Sequence, residues 1–98
     1  MGLLVEYTVL EGKKDAQVEA LNTMIAGLKA MGDLQFSYTA WETDDPTRFV
    51  AVLEFDDEDG KQQFLTSEAF QHYKDTASQR FPGPPTATPI SRVGSTGS

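Results

Sequence analysis

Two tyrosines carry the clearest chemistry in this chain. Tyr38 alternates with Leu34, Phe36 and Ala40, and Tyr73 recurs at helical spacing with Phe70, Ala77 and Phe81, so both fall on apolar faces. A phenol in such a layer needs a hydrogen-bond partner, and it can donate to the oxygen of a bound ligand. The same two residues can equally be core, with the hydroxyl at its rim. Met24, Phe36, Phe55 and Phe64 are the residue types that line a pocket for a flat aromatic ligand, methionine being adaptable filler beside rings. They too can be packing alone. His72 is the single histidine of the chain, and its position in the helical pattern turns it away from Tyr73 and its stripe, toward solvent. Glu6 and Glu54 can form an acid/base pair if their strands are neighbours, or be neutralised by Arg48 and Arg92. Ser67 has no nucleophile elbow around it and suits a helix N-cap.

Other chemistries lack their residues. The chain has no cysteine and one histidine, which leaves neither a thiolate nucleophile nor the ligands of a zinc site. No glycine-rich phosphate loop or dinucleotide fingerprint occurs, so no cofactor is expected, whether metal, flavin, nicotinamide or nucleotide. A net charge of −7 with only 8 basic residues argues against a nucleic-acid partner, whose phosphates call for clustered Lys and Arg. The acidic clusters Glu42–Asp45 and Asp56–Asp59 read as solvated turns. No apolar run approaches the ~20 residues of a membrane span, and Met1-Gly2-Leu3-Leu4-Val5-Glu6 lacks a basic signal-peptide start. A cytoplasmic protein without a membrane partner is expected.

The elements that must position these groups follow from periodicity. Residues 3–10 alternate as a strand. Lys13-Lys14-Asp15 opens a helix with Val18, Leu21, Ile25 and Leu28 as its apolar stripe, flanked by Met24 and Met31, and Gly32 ends it. Residues 35–42 form a second strand. Asp44-Asp45-Pro46-Thr47 supplies turn chemistry and leads into a third strand, in which Phe49, Ala51, Leu53 and Phe55 share one face and Val50, Val52 and Glu54 the other. Asp56 or Asp57 caps a short helix carrying Phe64 and Leu65, and Ser67 restarts it. Pro82-Gly83-Pro84-Pro85 breaks the chain, a last edge strand is expected over 90–93 after Pro89, and residues 94–98 read as a flexible tail. The chain of 98 residues is thus expected to hold one domain, 1–93. Its order β-α-β-β-α-β is α+β and ferredoxin-like, a four-stranded antiparallel sheet with its helices on one face. The other face carries Trp41, Val50 and Val52 and needs a cover, for which a two-fold homodimer closing a barrel is the simplest solution.

In this order, Glu11-Gly12-Lys13, Asp44 to Val50 and Phe64-Leu65-Thr66-Ser67-Glu68-Ala69-Phe70 resemble the antibiotic biosynthesis monooxygenase superfamily of dimeric α+β barrels, over about residues 3–73. The resemblance implies a homodimer with an apolar pocket in each subunit between helices and sheet, and, in its enzymes, cofactor-independent oxidation of phenols and hydroquinones. Tyr38 and Tyr73 then become the candidate catalytic donors, and Met24, Phe36, Phe55 and Phe64 the candidate substrate-binding residues. Phe64 stands where many members carry histidine and Phe55 where many carry tryptophan. Residues 3–10 also hold no asparagine, which argues against haem degradation. The alternative within the same fold is a non-catalytic dimer that binds a small apolar molecule.

Overall fold

The computed structural model describes residues 1–97; the last residue of the expected tail, Ser98, lies outside them. The chain runs β1 (Gly2–Thr8), α1 (Lys14–Ala30), β2 (Phe36–Glu42), β3 (Arg48–Phe55), α2 (Glu58–Leu65), α3 (Glu68–Asp75), a 3₁₀ turn (Ala77–Gln79) and β4 (Thr86–Ile90). The strands form one sheet in the order β2-β3-β1-β4, every neighbouring pair antiparallel. This is the ferredoxin-like α+β architecture, its second helical segment divided in two.

Local chemistry sets the boundaries. In the β2–β3 turn the Asp45 carboxylate accepts hydrogen bonds from the Thr47 amide at 2.9 Å and the Thr47 hydroxyl at 2.8 Å, which hold that carboxyl below its ordinary range. Asp57 caps α2 by accepting from the Gly60 amide at 3.0 Å. Ser67 caps α3 by accepting from the Phe70 amide at 3.2 Å, while its own hydroxyl donates to the Phe64 carbonyl at 2.8 Å. One serine thereby ends one helix and starts the next.

Register places the apolar alternation on a single face. Phe36 lies opposite Phe55, Tyr38 opposite Leu53, Ala40 opposite Ala51, and Tyr7 opposite Phe49. Against this face the helices bring Leu21, Met24, Leu28, Phe64 and Tyr73, all buried. The opposite face is uncovered in the single chain: Leu4, Val50, Val52 and Ile90 are half-buried and Trp41 is exposed. Two ion pairs flank that patch, Arg48 with Glu6 at 2.8 Å and Arg92 with Glu54 at 2.9 Å.

Two expectations shift, and one pair of alternatives is decided. The buried face of α1 is Gln17, Leu21, Met24 and Leu28, rotated by about a residue from the expected stripe; Val18 and Ile25 are half-buried and Met31 is exposed. The last strand is Thr86–Ile90, not 90–93, because β1 pairs with it from Gly2 opposite Ile90 to Glu6 opposite Thr86. Pro89 is tolerated there, since β4 is a sheet edge and one side of its backbone needs no donor. Of the two alternatives for Glu6 and Glu54 the arginines hold: the carboxylates lie opposite Val50 and Gly2, and Arg48 and Arg92 pair with them. Among the described residues, no helix is long and apolar enough to cross a membrane.

Candidate functional site

A buried polar cluster occupies the junction of α1, α3 and β1. Gln17 from α1, Tyr73 from α3 and Arg80 just after the 3₁₀ turn are 0%, 4% and 5% exposed. The Gln17 side chain joins the other two: its Nε2 donates to the Tyr73 hydroxyl at 2.7 Å and its Oε1 accepts from Arg80 Nε at 2.8 Å. Arg80 Nη1 donates to the Thr76 carbonyl at 3.1 Å and the Thr76 hydroxyl at 2.7 Å, and Nη2 to the Tyr73 carbonyl at 3.2 Å. These carbonyls belong to the last turn of α3, where backbone acceptors lack helical partners and a cation suits the helix dipole. The guanidinium carbon also lies 4.9 Å from the ring centre of Tyr73 and 5.4 Å from that of Phe81. Among the described residues no carboxylate pairs with Arg80; the ion pairs are those of Lys14, Arg48 and Arg92.

The cluster continues into the sheet through phenols. Tyr7 of β1 stacks on Phe81 at 5.4 Å and meets Tyr73 edge-on at 6.5 Å between ring centres. Its hydroxyl is 3.1 Å from that of Tyr38, and Tyr38 stacks on Phe64 at 5.2 Å. Burial pushes the pKa of all three tyrosines above the ordinary range, although Gln17 and the Arg80 charge oppose the shift at Tyr73. The phenols are therefore neutral donors at physiological pH. An array of neutral phenols and one guanidinium can stabilise an oxyanion, but it contains no group able to take a proton. His72, the only imidazole, is exposed.

A groove of about 770 Å³ opens between α1 and α3 beside this cluster. Ala16, Ala20, Met24, Gly27 and Ala69 give it apolar walls, Tyr73, Thr76 and Arg80 line it from the buried cluster, and the exposed Glu19, Glu68 and His72 stand at its rim. The two helices approach closely at Gly27, where a Cβ would meet that of Ala69 at 2.9 Å.

The six residues singled out from the sequence are thereby divided. Met24 and Tyr73 line the groove. Phe36 and Phe55 border a separate hollow of about 860 Å³, with Met1, Leu34, Asp57 and Arg92. Tyr38 and Phe64 stack in the core between them and line neither space. Tyr7, Gln17 and Arg80 join the cluster without having been singled out. Gln17 was readable, because it stands four residues before Leu21 in the buried series, and Arg80 precedes Phe81 at the end of the Tyr73 stripe. No group of three or more metal-ligating side chains occurs among the described residues.

The sequence model described as antibiotic biosynthesis monooxygenase matches residues 1–76. No curated protein matches the chain. Among solved structures, the NE2512 protein of unknown function from Nitrosomonas europaea is 19% identical, with a TM-score of 0.81 over 97% of this chain and 90% of that one. Rv0793 from Mycobacterium tuberculosis is 14% identical, with a TM-score of 0.80 over 98% of this chain and 97% of that one. A structure described as an antibiotic biosynthesis monooxygenase is 14% identical, with a TM-score of 0.78 over 95% of this chain and 98% of that one. At these identities the likeness is one of fold.

Proposed function

The chain belongs to the antibiotic biosynthesis monooxygenase family, and from that premise we propose that it is a cofactor-independent monooxygenase acting on a small aromatic phenol or hydroquinone. The observation that carries this reading is the set of buried, neutral phenols beside an apolar groove. In the proposed reaction the electron-rich ring supplies the electrons itself: one atom of dioxygen becomes a ring carbonyl and the other leaves as water, with the two hydrogens drawn from the substrate. Because the buried cluster offers donors and no base, the substrate has to ionise by its own acidity. The protein's share is to hold the ring out of water and to stabilise the phenolate oxygen.

In this reading the ring lies in the α1/α3 groove against Met24, and Tyr73 is the catalytic donor. Tyr38 is the second candidate donor, reached through the rings of the core. Phe36, Phe55 and Phe64 extend the aromatic wall on that side if the helices part to admit a larger ligand. The functional unit is proposed to be a cytoplasmic homodimer that covers the Trp41, Val50 and Val52 face. The absence of a base in the cluster also favours a second reading, a dimer of the same fold that binds a small aromatic molecule without turning it over.

Oxygen uptake by metal-stripped protein over a panel of anthrones, naphthols and hydroquinones tests the choice. Saturable uptake above autoxidation, lowered about tenfold or more in Tyr73→Phe or Tyr38→Phe, is the expected result. Background rates across the panel together with ligand binding establish the second reading instead.

A further inference from the structure

Arg80 is a cation removed from water with no anion beside it. Burying a charge is costly unless it is paired, and the groups that hold this guanidinium are all neutral: one side-chain amide, two carbonyls, one hydroxyl and two ring faces. The C-terminal end of α3 offsets part of the cost, but a helix terminus is equivalent to only about half an elementary charge. A guanidinium also has five N–H donors. All three of its nitrogens are engaged by neutral acceptors, and the Tyr73 hydroxyl also has Arg80 as a neighbour, so what is left over is the charge. The residue that carries this surplus charge lines the α1/α3 groove, whose apolar wall is Ala16, Ala20, Met24, Gly27 and Ala69 and whose remaining lining is mostly polar, with Glu19 and Glu68 exposed.

We propose that the α1/α3 groove binds a small aromatic oxyanion, its ring against Ala20, Met24 and Ala69 and its charge compensated by Arg80. This deepens the substrate-site reading above, on which it rests, by naming the charge state in which the substrate is held. Gln17 is a positioning residue in this arrangement. By accepting from Arg80 Nε and donating to the Tyr73 hydroxyl, it fixes the guanidinium and occupies a lone pair of the phenol, which leaves the phenolic hydrogen free to turn elsewhere. A neutral amide at this place holds Arg80 without neutralising it; a glutamate there would cancel the charge from within. The carboxylates of Glu19 and Glu68 do not outweigh Arg80, because they are exposed at the rim and screened by solvent and salt.

The test is a binding experiment that needs no turnover. Naphthoate, a dinitronaphtholate and the uncharged naphthamide are titrated anaerobically into the full-length protein while the Arg80 Nε–H resonance is followed by NMR. The anions are expected to bind about tenfold or more tightly than naphthamide and to shift the Arg80 signal. In Gln17→Glu their advantage is expected to vanish, while naphthamide binding and the melting temperature are retained. Preference for naphthoate over the naphtholate identifies a carboxylate site, and the reverse a phenolate site; either supports the proposal. Equal affinity for anion and amide in the wild type overturns it whether or not the variant folds, and so does anion binding that leaves the Arg80 signal unmoved. Anion binding without oxygen uptake on any substrate keeps this site and removes the monooxygenase reading. Oxygen uptake without a charge preference does the opposite.

Discussion

Where α2 and the start of α3 cover β2 and β3, the layer between helices and sheet is made of rings. Phe64 meets Phe36 at 5.4 Å, Tyr38 at 5.2 Å and Phe70 at 4.5 Å between ring centres. Where α1 meets the end of α3, the same layer holds Gln17, Tyr73, Tyr7 and Arg80 in a chain of hydrogen bonds and ring contacts. The ring-built end leaves Tyr38 and Phe70 half-buried while all four residues of the polar end are buried, and the two solve burial differently. Rings gain from leaving water and ask for nothing in return, whereas every polar atom of the other end has to find a partner or be left at a cost. Among the described residues no buried side-chain polar atom lacks one altogether. A fold that needed only stability could have filled both ends with rings, so the polar end is the one to interrogate for function.

The largest expected effect breaks the apolar end. Phe64→Ala removes the ring that Phe36, Tyr38 and Phe70 share and leaves a cavity in a closely packed layer. A loss of about 3–5 kcal/mol is expected by chemical denaturation. A loss of under 1 kcal/mol would show that α2 repacks freely and that this end is not the rigid half of the core.

Next, alkaline titration sharpens the polar end. Burial raises the folded-state pKa of Tyr7, Tyr38 and Tyr73 above the unfolded value. Their contribution to stability is therefore fully present below about pH 10 and is lost as pH rises from there toward the folded-state values. Each tyrosine kept protonated by the fold steepens the decline by about 1.4 kcal/mol per pH unit. Tyr7→Phe is expected to flatten the decline by one such increment, and an unchanged slope would mean that Tyr7 ionises in place.

The contrast between the two ends also explains what could be read from the sequence. The ring-built end was legible because Phe49, Ala51, Leu53 and Phe55 alternate and Phe64 and Phe70 each follow a helix-start signal; apolar periodicity is the signal that strands and helices leave. Gln17 and Arg80 are polar, so the same reading assigns them to solvent, and only their position in register with Leu21 and Phe81 betrays them. Thr86–Ile90 was misplaced for a related reason: most of the strand is exposed, follows a Pro-rich break and contains Pro89. Its pairing with β1 is a long-range fact that no local pattern encodes.

A smaller effect is expected at the join between the two ends, where Ser67 both ends α2 and caps α3. Ser67→Ala removes the acceptor of the Phe70 amide and should cost about 1 kcal/mol. Because Ser67 also lines the α1/α3 groove, the same variant reports whether α3 must be held in place for ligand binding. An affinity that falls with stability shows that the cap sets the groove; an affinity that holds assigns the cap to folding alone.

The smallest expected effect lies on the uncovered face of the sheet, and its size depends on what covers that face. The Arg48–Glu6 pair joins side chains that are 46% and 39% exposed in the single chain, and an exposed pair of this kind contributes about 0.2–1 kcal/mol. If a second copy closes over Leu4, Val50, Val52 and Trp41, the pair beside them loses water. Arg48→Ala then leaves Glu6 charged and unpaired in a drier place, at a greater cost. Association makes that cost depend on protein concentration, because mass action favours the covered state. Denaturation of wild type and Arg48→Ala at two concentrations about a hundredfold apart separates the cases. A difference that grows with concentration places the arginine at a subunit interface, and a constant difference below 1 kcal/mol leaves it an ordinary surface residue on a face that stays open.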